Sequence, residues 1–356
     1  MKKNAKRLLS LLLLLVLLLP ALTACQGGTA KKPYIAVISK GFQHQFWQVV
    51  KKGADAAAAQ YGVSITFEGP ASESEIQAQV QMLDSALAKK PVAIALAALS
   101  TESVTDQLKK ALNSKIPVIG FDSGVPNAPA GSVYANASTD NTAAGALAAT
   151  SMYPTIKTKA ATGKAGTAMR IGVLSQDAVS ESVSNRTKGF IDKMVALLKA
   201  DGITEVAVVG HDKYKNTVAE SSAKVVIDVG VSATTGATDI ATTASALLGK
   251  NNVIAIYGSN EAAANGILQA SNEGADLKTK GVTAVGFDAG KRQKAAVRAG
   301  YFLGSITQDP YNIGFKAVEL AYKAYKGEKV ANIDTGAKFY TKDNIDSAEI
   351  KDLVYD

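Results

Sequence analysis

The chain has 356 residues, a formal charge of +8 from 39 basic and 31 acidic side chains, and one cysteine, Cys25. A single cysteine excludes an internal disulfide framework and any multi-cysteine zinc site, so the fold rests on an apolar core that a chain of this length can build. Four of the positive charges (Lys2, Lys3, Lys6, Arg7) fall within the first seven residues, which leaves about +4 (8 − 4) for the rest and removes the case for nucleic-acid binding.

Behind that basic start, residues 8–19 are almost unbroken in apolar character, the length of a signal-peptide core and short for a bilayer span. Leu22-Thr23-Ala24-Cys25 follows and resembles the lipobox of bacterial lipoproteins. That resemblance implies a signal peptide over 1–24, lipidation of the Cys25 thiol and a short tether over 25–33. The expected address is therefore extracytoplasmic, with a lipid anchor in a bacterial cell membrane. Residues 26–33 are polar and aperiodic, as a flexible tether requires.

From residue 34 the pattern becomes regular. Short apolar runs at 34–39, 63–67, 92–96 and 117–121 alternate with helical spacing over 45–61, 73–88 and 102–113. Apolar strands separated by amphipathic helices predict a parallel sheet covered on both faces. A polar stretch at 154–167 reads as a connection, after which the alternation resumes. Strands are expected at 169–174, 206–209, 253–257 and 283–287, and helices at 181–199, 241–248 and 262–272. Two α/β lobes suit the length better than one.

A local repeat supports duplication: Gly120-Phe121-Asp122 closes the fourth strand of the first lobe and Gly286-Phe287-Asp288 the corresponding strand of the second. Ligands of open α/β sheets bind beyond the carboxyl ends of strands, which places both carboxylates on one cleft. Capping of a following helix is the competing role for either aspartate.

With these features the sequence resembles the periplasmic-binding-protein type 1 family, in particular the ribose and related monosaccharide receptors of ABC transporters. The resemblance implies an α/β fold of two doubly wound parallel-sheet lobes joined by a three-crossing hinge, with ligand in the interlobe cleft. The lobes would comprise 34–137 plus 309–332 and 138–308 plus 333–356, with crossings near 136–139, 307–310 and 330–335. It also implies the contacts. His44, Phe46 and Trp47 stand where the family has a polar residue and two aromatics, which would hold a sugar ring between aromatic faces. Asp122, Arg186 (in Arg-x-x-Gly-Phe), Asn260, Asp288 and Gln308 match its polar ligand residues. Two departures occur: Ser123 replaces an arginine and Ala97 an asparagine, so two polar contacts of the first lobe are missing. Tyr214 is a candidate for the second-lobe aromatic contact, and His211 reads as a solvated loop residue.

The expected partners are a small sugar or polyol, ABC permease subunits and the membrane, with no nucleic acid, and the chain is expected to be a monomer. An inositol, a furanosyl signal or a nucleoside is the alternative ligand. No phosphate-cradling loop or metal-ligand cluster is visible, so neither cofactor nor metal is expected, and no catalytic residue. A glycosidase would also pair carboxylates, and a regulator of the lac-repressor type would share the lobes. The latter needs an N-terminal helix-turn-helix where this chain has an export signal.

Overall fold

The computed structural model describes residues 31–42 and 44–355; the signal segment, Cys25 and most of the tether lie outside the described residues. Two units divide the chain, Met1–Pro33 and Tyr34–Asp356, and the second contains both sheets.

The first strand, β1 (Tyr34–Ile38), leads into helix α1 (Gln45–Tyr61), whose buried Val50, Ala54, Ala57 and Ala58 lie at helical spacing. The alternation continues through β2 (Ser64–Glu68), α2 (Ile76–Ala88), β3 (Ala93–Leu96), α3 (Thr105–Asn113), β4 (Val118–Phe121) and β5 (Val133–Ser138). The chain then enters α4 (Asn141–Ala160), β6 (Met169–Ser175), α5 (Glu181–Ala200), β7 (Val206–Val209), β8 (Val225–Val231), α6 (Ala237–Leu248) and β9 (Val253–Gly258). Next come α7 (Glu261–Ala270), α8 (Ala275–Lys280), β10 (Thr283–Phe287), α9 (Lys291–Arg298), β11 (Gly304–Gln308), α10 (Pro310–Tyr325), β12 (Ile333–Asp334) and β13 (Ala337–Tyr340).

One sheet has six strands in the order β12-β5-β4-β3-β1-β2 and the other seven in the order β13-β11-β10-β9-β6-β8-β7. Every pairing is parallel except that of β13 with β11. The chain passes between the sheets after β5, after β11 and between β12 and β13. Helix α10 returns to pack on α1, where a Cβ on Gly314 would lie 1.9 Å from the Val50 carbonyl oxygen, so the two backbones touch.

The stretch 154–167 departs from its expected reading. Residues 154–160 complete the 20-residue helix α4, with Pro154 inside it. Proline costs a backbone hydrogen bond there. Met152, Tyr153, Ile156 and Ala160 are nevertheless buried and extend the face that packs on α5, so tertiary contact overrides the local signal. Strand β8 lacks an unbroken apolar signature because it carries Asp228, which is buried between Arg170 (2.9 Å) and Lys250 (2.6 Å).

Candidate ligand-binding cleft

The repeated Gly-Phe-Asp tripeptide encodes a backbone turn as well as a carboxylate. Asp122 has φ 55° and Asp288 has φ 72°, the left-handed region that short polar side chains tolerate best among non-glycine residues. Each N–H donates to the neighbouring strand, Asp122 to the Ala137 carbonyl (3.1 Å) and Asp288 to that of Ile306 (2.6 Å). The preceding Phe121 and Phe287 are fully buried, which fixes the turn to its sheet.

Both carboxylates line a cavity of about 390 Å³, within the roughly 300–1,000 Å³ range of small-molecule sites. His44, Phe46, Trp47, Asp122, Arg186, Asn260, Asp288 and Gln308 all border it. Arg186 is the hub. Its Nε donates to Asn141 Oδ1 (2.8 Å) and its Nη2 to Gln308 Oε1 (2.9 Å), and its charge lies 3.8 Å from Asp288 and 4.0 Å from Asp122. The guanidinium also sits over Phe287, 3.9 Å from the ring centroid. Its backbone position is set by the crossing of α4 and α5, where a Cβ on Gly145 would lie 2.2 Å from the Arg186 carbonyl oxygen.

Gln308 donates onward to Asp288 Oδ1 (2.7 Å), whose other oxygen accepts from the Glu261 N–H (3.1 Å) at the start of α7. Burial pushes the Asp288 carboxyl above its ordinary pKa, and Arg186 and Gln308 oppose that. Asn260 performs both roles considered for it: Oδ1 caps α7 through the Ala263 N–H (2.9 Å), while Nδ2 donates to Gln176 Oε1 (2.7 Å).

Sequence reasoning missed Lys40, Glu73, Gln176, Thr235 and Glu261, which also line the cavity. Lys40, just beyond β1, is buried with its Nζ 3.2 Å from Asp122 Oδ2 and 3.1 Å from Ser182 Oγ. It supplies, from another strand, a cation to the side where Ser123 stands in place of the expected arginine. Burial alone would lower its pKa; Asp122 and Glu73 outweigh that and raise it, so it is an ammonium. Glu73 shows the complement. Burial favours protonation, but Lys40 and the donors Gln176 Nε2 (3.0 Å) and Trp47 Nε1 (3.2 Å) hold its carboxyl below the usual range. A polar residue after an apolar strand was the available signal for Lys40; Glu73 read as the start of a helix.

One expectation needs correction. The aromatic residues bordering the cavity, Phe42, Phe46 and Trp47, all come from the first lobe, and the second lobe adds none to the lining, so the cavity has an aromatic wall on one side only. Trp47 packs edge-on against Phe46 (5.0 Å) and Phe121 (6.3 Å), so it serves the core as well as the cavity. Tyr214 and His211 pack on each other away from this cavity.

The lobes also pair directly with one another across the cleft. Gln176 reaches Glu73, Lys40 reaches Ser182, and the Gly124 N–H donates to Glu181 Oε2 (3.3 Å). His44 Nε2 lies 3.4 Å from Glu261 Oε1. Burial opposes protonation of that imidazole, but the Glu261 carboxylate raises its pKa to about 9. Its Nδ1, however, accepts from the Phe46 N–H (3.3 Å) as the cap of α1, which requires an unprotonated nitrogen. Above that pKa the neutral Nε2–H tautomer meets both contacts, whereas below it the imidazolium keeps the Glu261 contact and gives up the cap. Among the described lining residues, Asp122 Oδ2 and Thr235 Oγ1 are buried without a hydrogen bond.

A family model described as periplasmic binding protein domain matches residues 35–329. The D-allose-binding periplasmic protein of Escherichia coli (strain K12) is 28% identical over 320 residues, covering 87% of this chain and 90% of the relative. A solved structure from Brachyspira murdochii, described as an ABC transporter, LacI family transcriptional regulator, is 42% identical with a TM-score of 0.77, covering 91% of this chain and 99% of that one. An ABC transporter solute binding protein from Agrobacterium vitis with bound D-fucose is 32% identical with a TM-score of 0.74, covering 90% and 100%. With two parallel sheets, three crossings and a polar cleft between them, this chain belongs to the periplasmic binding protein domain family.

Proposed function

We propose that the protein is an extracytoplasmic solute receptor that captures a small carbohydrate by lobe closure and delivers it to an ABC permease. The observation that carries this reading is Arg186, buried within 4.0 Å of both strand-end carboxylates, Asp122 of the first sheet's lobe and Asp288 of the second's. Sugar hydroxyls donate to carboxylates and accept from Arg, Asn, Gln and Lys, all of which face the cavity, while the Phe46–Trp47 wall suits the C–H face of a ring. A ligand touching both lobes shifts the hinge equilibrium toward closure. The named relatives, a D-allose-binding protein and a structure with D-fucose, support a monosaccharide. They are receptors rather than enzymes, and the reading calls for no catalytic group.

In this reading the two lobes carry the divisions expected from the sequence, and Cys25, lipidated, holds the receptor beside its permease. Two measurements test it. A thermal-shift screen of monosaccharides, polyols and nucleosides should give its largest shift with a monosaccharide. Trp47, the sole tryptophan, should change emission with the same ligand. A response confined to nucleosides, or to none of the panel, overturns the sugar assignment. Mass spectrometry of the membrane-extracted protein should find the lipid on Cys25.

A further inference from the structure

The segment after β13 ends against the cleft. Tyr355, the last described residue, is buried: its backbone N–H approaches the Ala289 carbonyl oxygen (3.4 Å), and its phenol donates to Glu261 Oε2 (3.1 Å). Leu353 is fixed to the second sheet by a bond from Thr307 Oγ1 to its carbonyl (2.8 Å). The Tyr355 ring also meets Phe46 of α1 edge-on, 6.4 Å between centroids. One apolar cluster thereby contains Phe46 and Tyr355 with residues of both lobes.

Glu261 is the common element. One carboxylate oxygen takes the Tyr355 hydroxyl, the other faces His44 across the cleft, and the side chain lies directly over Gly290, where a Cβ would come 2.0 Å from Oε1. Without Tyr355, a carboxylate on a flexible stem has other rotamers open to it. Burial, with Asp288 and Glu261 nearby, holds the phenol protonated, so it remains a donor.

We propose that Tyr355 is a positioning residue for solute capture: it holds Glu261 in the rotamer that meets His44, and the three form a latch favouring lobe closure with or without ligand. This rests on the reading that the lobes close around a solute and adds to it a bias built into the protein itself. Asp288 and Glu73 face the same region from β10 and from the loop before α2, and neither bridges His44 to the second lobe.

Single-molecule fluorescence transfer on residues 26–356 tests this without sugar, so its outcome does not depend on ligand identity. That fragment contains the whole unit Tyr34–Asp356 and lacks Cys25, so dyes attach only at Ser74→Cys and Ala233→Cys, two exposed positions on opposite lobes. Tyr355→Phe keeps the ring and removes only the hydroxyl. It should lower the closed-to-open ratio about three- to tenfold, the effect of one hydrogen bond. In a His44→Asn background, where asparagine still caps α1 but is too short to reach Glu261, the same change should have no effect. Glu261→Gln, a second route if Tyr355→Phe folds poorly, should lower the ratio in the same direction. The proposal is overturned by a wild type without closed molecules, by a ratio unmoved in both variants, or by a Tyr355→Phe effect undiminished in the His44→Asn background.

Discussion

Replacing Lys40 with methionine separates the stability of the protein from the closing of its cleft. In the closed arrangement Lys40 is buried beside Asp122 and faces Glu73, so its loss leaves Asp122 Oδ2 with no counter-ion in contact. Stranding one partner of a buried pair costs roughly 3–5 kcal/mol. Glu73 keeps its bonds from Gln176 and Trp47, and Arg186 stands 4.0 Å from the other oxygen of Asp122, so a smaller figure, about 2–3 kcal/mol, is appropriate. That corresponds to a loss of about 30- to 150-fold in affinity for the captured sugar. When the lobes part, water solvates Asp122 and the penalty disappears. Calorimetric titration should therefore show the full loss, while the urea midpoint of the sugar-free protein moves little. Adding Asp122→Asn removes the stranded charge and should recover part of the affinity. A Lys40→Met protein within threefold of wild-type affinity would refute the role given to this ion pair.

Asp288→Ala should weaken sugar binding by on the order of 2–4 kcal/mol, because it removes one counter-charge of Arg186 and the acceptor of Gln308 and of sugar hydroxyls; unchanged affinity by calorimetry removes Asp288 from the site. Gly189→Ala places a Cβ 2.1 Å from the Thr142 carbonyl oxygen and should cost about 1–3 kcal/mol in urea unfolding by parting α4 from α5. The pH dependence follows from His44, whose folded-state pKa is raised from 6.5 to about 9. A raised pKa contributes stability that is complete below 6.5 and is lost as pH climbs toward 9, so sugar affinity should decline across that window. The decline should be shallow, since the ring is two-fifths exposed and the neutral tautomer keeps its bond to Glu261; a His44→Asn protein should lack it.

Much of the α/β architecture was legible because strand and helix periods differ so plainly. The helix at 45–61 and the strands at 206–209 and 283–287 lie where the spacing puts them. Signals failed where tertiary contact overrides local preference: Pro154 remains helical because the flanking apolar residues pack on α5, and β8 tolerates Asp228 because Arg170 and Lys250 neutralise it. In the cleft, the strand-end aspartates announced themselves by repetition, and Arg186, Asn260 and Gln308 by the motifs around them. Lys40 and Glu73 carried no such context. Each is an ordinary surface residue type whose role depends on the charge the fold brings near it, and no linear spacing connects residues 40, 73 and 122. The one-sided aromatic wall was likewise hidden, since it depends on which second-lobe residues the fold brings to the cavity.

The left-handed turns at Asp122 and Asp288 restrict how this receptor can evolve toward a different solute. Glutamate has the same charge but a longer side chain less suited to that conformation, and apolar replacements carry the same strain while discarding the acceptor. Asparagine and glycine are the exchanges the backbone accepts readily. Diversification toward new solutes has freer scope at Ser72, Thr235 and Ala262, whose positions bear no such backbone constraint, so the turns act as fixed posts around which the rest of the cleft can be retailored.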